Sequence, residues 1–163
     1  FYNLNEENFS IQYKIIGIDD DDELIFQRNQ LNLEEKVTFQ KSVSFPRIME
    51  EIYEADIVLL PSLEEGIDNV VLEAMALGTL VISTDCGGMT EIVLNNENGF
   101  IVPTRDSIAI AEAIKKINTL TLDDYNEITL KARAAVEKQH SKEKMINDFN
   151  VFYDLVNKKK STL

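Results

Sequence analysis

The chain has 163 residues, 44% hydrophobic and 28% charged, which is enough apolar content for one packed domain and too much for a disordered segment. Its formal net charge of −13 argues against nucleic-acid binding by charge. No apolar run approaches the roughly 18 residues a membrane span needs, and the single cysteine, Cys86, excludes an internal disulfide and suits a reducing compartment.

Short β-branched or aromatic runs over residues 11–18, 36–40, 56–61, 79–84 and 100–103 predict strands. Helical patterns over 21–31, 46–54, 69–77 and 89–94 lie between them. Ser44 is placed to cap a helix with Pro46 in its first turn, and Gly78 follows an apolar helical run as a C-cap does. Gly87-Gly88 and Asn98-Gly99 mark tight turns. After Pro103 the pattern is purely helical: one helix capped by Asp106, a second over 122–138, and a third over 141–158. In the third, Met145, Phe149, Phe152 and Leu155 form a stripe at helical spacing, which reads as core. Lys158, Lys159 and Lys160 read as a solvated helix end. Strands joined through helices run parallel, so the fold class is α/β, a Rossmann-like doubly wound sheet with C-terminal helices, in a single domain over residues 1–163. Ligands of such sheets bind at the carboxyl ends of the strands.

The chemistry concentrates in residues 61–78. A buried strand ends at Pro61, a loop carries Glu64, Glu65 and Gly66, and a helix begins around Asp68-Asn69. That helix is apolar nearly all round except for Glu73, and an unpartnered buried carboxylate costs several kcal/mol. Glu73 therefore faces a polar cleft or a specific donor, unless it pairs with a nearby cation or simply leans on the positive helix end. Gly66 permits a sharp turn and a close ligand approach. The amides of Gly66, Ile67, Asp68 and Asn69 point outward from a helix start, where free N–H groups and the helix dipole favour phosphate. Two carboxylates flank them, able to accept hydrogen bonds from hydroxyls. Phosphate and sugar hydroxyls together describe a sugar nucleotide.

Residues 65–78, EGIDNVVLEAMALG, resemble the E-x7-E signature of the group 1 family of retaining glycosyltransferases, which have the GT-B fold. Residues 55–62, ADIVLLPS, resemble the strand leading into that motif; residues 81–93, VISTDCGGMTEIV, the strand and Gly-Gly turn that follow; residues 98–103, NGFIVP, the last strand. The resemblance runs in order from about Ile11 to Ile117. It implies that Glu73 accepts hydrogen bonds from the donor ribose and that Glu65, the catalytic residue, touches and places the transferred sugar. It implies that the amides from Gly66 to Asn69 hold the distal phosphate, and that Gly17 and Ser42 border the base. Gly87, Gly88 and Glu91 fall beside the cleft, with helix capping an equal account of Glu91. The implied substrate is a nucleoside diphosphate sugar, with no resident cofactor and no metal. The implied reaction is transfer of its sugar to a hydroxyl in polysaccharide or glycolipid synthesis, in the cytoplasm or at the inner membrane face as a peripheral enzyme.

The chain departs from the family pattern where Ile67-Asp68 stands in place of a common Phe-Gly, and where Lys41 replaces a common glycine. The family also carries an Arg and a Lys near the first strand of its donor domain. Phe1 to Leu4 resembles the tail of the helix after that strand, which places the strand, the basic pair and an acceptor domain upstream. The fragment alone is then expected to be inactive.

Other signals carry less. Asp19 to Asp22 form an acidic run at a strand-to-helix turn, where capping explains it better than a metal. His140 lies between predicted helices, and Cys86 reads as a small buried side chain. Two rivals stand beside the main reading. A signalling module of the receiver type needs an aspartate after the third strand and a lysine after the fifth, where this chain has Pro61-Ser62 and Pro103-Thr104. Another GT-B enzyme, such as a nucleotide-sugar epimerase, is disfavoured by the Glu65 to Glu73 spacing.

Overall fold

A computed structural model describes residue 4 and residues 9–19 and 21–160, with side chains to residue 157. The expectations for residues 1–3, for Asp20 within the acidic run, and for the side chains of Lys158 to Lys160 lie outside the described residues.

The strands are β1 (Tyr13–Ile16), β2 (Val37–Gln40), β3 (Ile57–Leu60), β4 (Leu80–Thr84) and β5 (Phe100–Val102). The helices between and after them are α1 (Asp22–Gln30), α2 (Phe45–Glu54), α3 (Asn69–Leu77), α4 (Met89–Ile92), α5 (Ser107–Asn118), α6 (Leu122–Gln139) and α7 (Lys142–Lys160). All strand pairs are parallel, as helical crossovers require. The α/β class with C-terminal helices is therefore the one the alternation predicts. The ladder, however, runs in two pieces, β1-β2 and β3-β4-β5. Winding goes outward from β1 in one and from β3 in the other, and these two strands share no ladder. The first strand of the larger ladder feeds the candidate site through Glu65-Gly66 after β3, while Gly17 follows β1 in the smaller one.

β4 is the axis of the larger ladder. All of its residues are buried, and their period of two divides them between two cores. Val81 packs with Val71, Ala74 and Met75 of α3 and with Met89, Ile92 and Ala132. Leu80 and Ile82 pack with Phe100, Val102 and the buried face of α5 on the other side. α3 is sandwiched by this arrangement: Val71, Ala74 and Met75 are wholly buried, and truncating a side chain such as Met75 costs about 2–5 kcal/mol. Its far end is closed by Gly78, which adopts φ +84° and donates to the carbonyls of Ala74 and Met75. Thr79 continues that lock, its hydroxyl donating to Ile52 O at 2.8 Å.

Two expectations need correction. Ser44 does occupy the cap position of α2, with Pro in the first turn, but its hydroxyl makes no capping hydrogen bond. The stripe on α7 is not core: Met145, Phe149, Phe152 and Leu155 are 54–58% exposed, and α7 buries none of its described side chains. Helical spacing reports that a face is apolar; it does not say that this chain supplies what covers it.

One buried charge lies outside the pattern read from sequence. The Glu51 side chain is 7% exposed and accepts from Lys14 Nζ on β1 at 2.5 Å and from Arg47 on α2. The Lys14 hydrogen bond, then the Arg47 one, hold the Glu51 carboxyl below its ordinary range, against burial that pushes it up. A depressed folded pKa stabilises the fold above the unfolded value, and that stability is lost as pH falls through the folded one. Urea unfolding is therefore expected to show wild type losing midpoint on acidification below about pH 4.3. Glu51→Gln should start lower at neutral pH and lose less. Parallel acid limbs for the two proteins would remove this role from Glu51.

Candidate functional site

The site is built at the carboxyl end of β3. The chain leaves the strand after Leu60, loops through residues 61–68, and enters α3 at Asn69. Asp68 is the N-cap: its side chain accepts from Val70 N at 2.8 Å, and its carbonyl accepts from Val71 and Leu72. That cap satisfies an amide inside the first turn and leaves the outer ones alone. The amides of Gly66, Ile67, Asp68 and Asn69 donate no hydrogen bond among the described residues. Glu65, Gly66 and Asn69 are exposed, and a Cβ built on Gly66 meets nothing within 4 Å. The helix mouth is open, with a run of free donors and the positive dipole end facing the same space.

Glu73 lies one turn inside this mouth, half-buried, and no described cation or hydrogen-bond donor satisfies it. Burial raises its pKa, and the charge of Asp68 raises it further. Of the accounts left open by the sequence, pairing with a described cation falls away, and Glu73 is left with the positive end of α3 as its nearest favourable field. Glu65 sits at the rim, eight positions before it.

Behind the loop stands the end of β4. Thr84, buried, donates its hydroxyl to Ser62 O at 2.5 Å, fastening the start of the loop. Gly88 N donates to Gly66 O at 3.3 Å, and Ile67 packs into the core beside α3. The structure therefore brings together Glu65, Gly66, Ile67, Asp68, Asn69 and Glu73 with the turn at Gly87 and Gly88. Thr84 was missed by sequence reasoning, because a threonine ending an apolar strand looks like any β-former. Gly17 and Ser42 are exposed at the carboxyl ends of β1 and β2, where Gly17, at φ +96°, donates to Gln40 O at 2.9 Å. No described hydrogen bond joins Gly17 or Ser42 to the α3 mouth. Glu91 is exposed on α4, its backbone amide bonded to Gly88 O.

Asp21 caps α1, accepting from Glu23 N and Leu24 N. His140 ends α6 at the surface, and Cys86 is buried against the α3 core. Among the described residues no group of three or more His, Cys, Asp or Glu is placed to hold a metal ion.

A parallel α/β domain with helices between its strands and after the last one defines a Rossmann-like architecture. The family model described as "Glycosyl transferases group 1" matches residues 1–119, and the chain belongs to that family. The putative colanic acid biosynthesis glycosyltransferase WcaL of Escherichia coli K12 is 30% identical over 146 residues, which span 82% of this chain and 35% of that protein. The amylovoran biosynthesis glycosyltransferase AmsK of Erwinia amylovora is 32% identical, over 83% of this chain and 35% of its own length. The chain thus spans about a third of these relatives. Among solved structures, sucrose-phosphate synthase from Thermosynechococcus elongatus shares the fold with a TM-score of 0.81 at 24% identity, over 91% of this chain and 39% of the other. Anabaena Alr3699/HepE in complex with UDP-glucose gives 0.67 at 25% identity, over 93% and 41%.

Because the folded pKa of Glu73 lies above its unfolded value, ionising it opposes folding, and the penalty is complete once pH exceeds the folded pKa. Glu73→Gln should therefore raise the urea midpoint at neutral pH, and the gain should vanish in acid. A variant less stable than wild type at pH 7 would show that the carboxylate has a stabilising partner.

Proposed function

We propose that this chain is the donor-binding part of a larger glycosyltransferase that moves a sugar from a nucleoside diphosphate sugar to a hydroxyl, with retention of anomeric configuration. The observation that carries the reading is the row of unpaired amides from Gly66 to Asn69, flanked by exposed Glu65 and by Glu73 without a partner. The family membership and the naming of UDP-glucose in the HepE complex support it.

In this reading the distal phosphate of the donor sits on the amides, and Glu73 accepts from the ribose hydroxyls. Glu65 accepts from the transferred sugar and orients it. Gly17 and Ser42 border the base. The bond between the anomeric carbon and the diphosphate oxygen breaks as the acceptor oxygen forms its own bond on the same face, and the acceptor proton passes to the leaving diphosphate. Charge grows on that diphosphate during the step, so donors fixed beforehand lower the barrier; losing one such donor costs about 3 kcal/mol. The site needs no resident cofactor or metal in this scheme. The acceptor domain and further diphosphate contacts belong to the rest of the longer protein, so the chain alone binds donor without turning it over. No helix among the described residues is long and apolar enough to cross a membrane. In this reading the enzyme meets glycolipid or polysaccharide acceptors as a peripheral protein on the cytoplasmic side.

Calorimetric titration of the chain with UDP, GDP and ADP tests this directly. One of the three should bind, and Glu73→Ala should weaken it about 10-fold or more, the size of a lost charge-assisted hydrogen bond. Equal binding by both proteins would take the ribose away from Glu73.

A further inference from the structure

The Gly87-Gly88 turn touches the donor loop by its backbone. Gly87 has φ +51°, and a Cβ built on it would lie 1.5 Å from the Glu65 carbonyl oxygen and 2.7 Å from the Glu65 carbonyl carbon. The oxygen is the nearer atom, so the Glu65 carbonyl is aimed into the space a side chain would fill. One residue on, Gly66 O accepts from Gly88 N at 3.3 Å, so this carbonyl also faces the turn. Both peptide units are trans. In a planar trans unit the N–H points opposite to the C=O. The amides of Gly66 and Ile67 must therefore point away from the turn.

We propose that the Gly87-Gly88 turn is a positioning element for the donor loop: by drawing in the carbonyls of Glu65 and Gly66, it turns the Gly66 and Ile67 amides out toward the ligand. Neither glycine needs to touch the donor for this. The assignment of the outward amides to phosphate rests on the donor reading above; the orientation of the two peptide planes does not. The requirement for glycine at 87 is twofold, a left-handed backbone and an approach no Cβ survives. Gly78 separates the two. It has φ +84°, yet a Cβ there meets nothing within 4 Å, and it closes the opposite end of α3. Gly87→Ala and Gly78→Ala thus share the backbone strain, and only the first displaces the loop.

The experiment compares wild type, Gly87→Ala and Gly78→Ala of the full chain by two readouts. Without nucleotide, the backbone amide NMR shifts of Gly66 and Ile67 should move in Gly87→Ala and stay in place in Gly78→Ala, even where both variants unfold more readily. With UDP, GDP or ADP, Gly87→Ala should bind about 10-fold or more weakly, while Gly78→Ala binds as wild type does. Unmoved loop amides in folded Gly87→Ala, or equal movement in both variants, would overturn the proposal. If wild type binds none of the three nucleotides but the loop amides still move only in Gly87→Ala, the positioning stands and the donor reading falls. Should Gly87→Ala fail to fold, Gly88→Ala takes its place. Its Cβ would come 3.0 Å from Ile67 Cγ1, a side chain that can shift, and the same pattern with smaller displacements is expected.

Discussion

A helix mouth offers its amides to a ligand only if the helix cannot slide or fray away from the sheet that aims it, and in this chain the burial of α3 removes that freedom. Val71, Ala74 and Met75 are locked between β4 and the helices beyond it. Several large or fully buried contacts would have to break together for the Asn69 end to move. The loop before it is tied just as firmly, by Thr84 to Ser62 O and by Gly88 to Gly66 O. The result is a small set of donors fixed in advance, and fixed donors are worth more to a developing charge than mobile ones because nothing must reorganise when the charge arrives.

The same region carries a local penalty that the rest of the fold offsets. Glu73 is half-buried without a partner and Asp68, close by, repels it. A sequence selected for stability alone would place an amide or an aliphatic residue there. Local rules broken without a structural return mark sites held for function. Glu51 is the contrast within the same chain: the same residue type and more buried, it is met by Lys14 and Arg47, and its pKa moves down where that of Glu73 moves up. Two carboxylates of one type are thus separated into a fastening and a candidate ligand group by their surroundings.

The elements were legible because strand and helix periods alternate without ambiguity, and the α3 boundaries at Asn69 and Leu77 follow from Asp68 and Gly78, each a residue whose capping chemistry is local. Glu73 stood out for an equally local reason, as the one charge on an apolar helix. What was not legible depends on atoms far apart in the chain. Lys14 meets Glu51 across 37 positions, and Thr84 reaches Ser62 across 22. The Gly87-Gly88 pair advertised a turn, but its contact with Glu65 exists only once β3 and β4 lie side by side. The break between β1 and β3 was hidden too, since a strand's own residues do not say which neighbour it pairs with. The α7 stripe misled for a related reason: Phe149 and Phe152 record an apolar face, and the burial of a face depends on what is laid against it.

On the proposed reading, the acidic character of the mouth also bears on what is chosen. Glu65, Asp68 and Glu73 surround the free amides, and no described hydrogen bond or ion pair brings a lysine or arginine to any of them. A bare phosphate entering this space gains the amide hydrogen bonds but meets the like charge of these carboxylates, with no hydroxyl to offer them. A nucleoside diphosphate sugar meets the same repulsion at its phosphate and offsets it at both ends, donating ribose hydroxyls to Glu73 and sugar hydroxyls to Glu65. Discrimination then comes from the groups left unsatisfied by the wrong ligand, which is the stronger form of selectivity, because a buried acceptor without its donor costs more than a good contact gains. The carboxylates that make the mouth unwelcoming to phosphate alone are therefore what would make it specific for phosphate carrying two sugars.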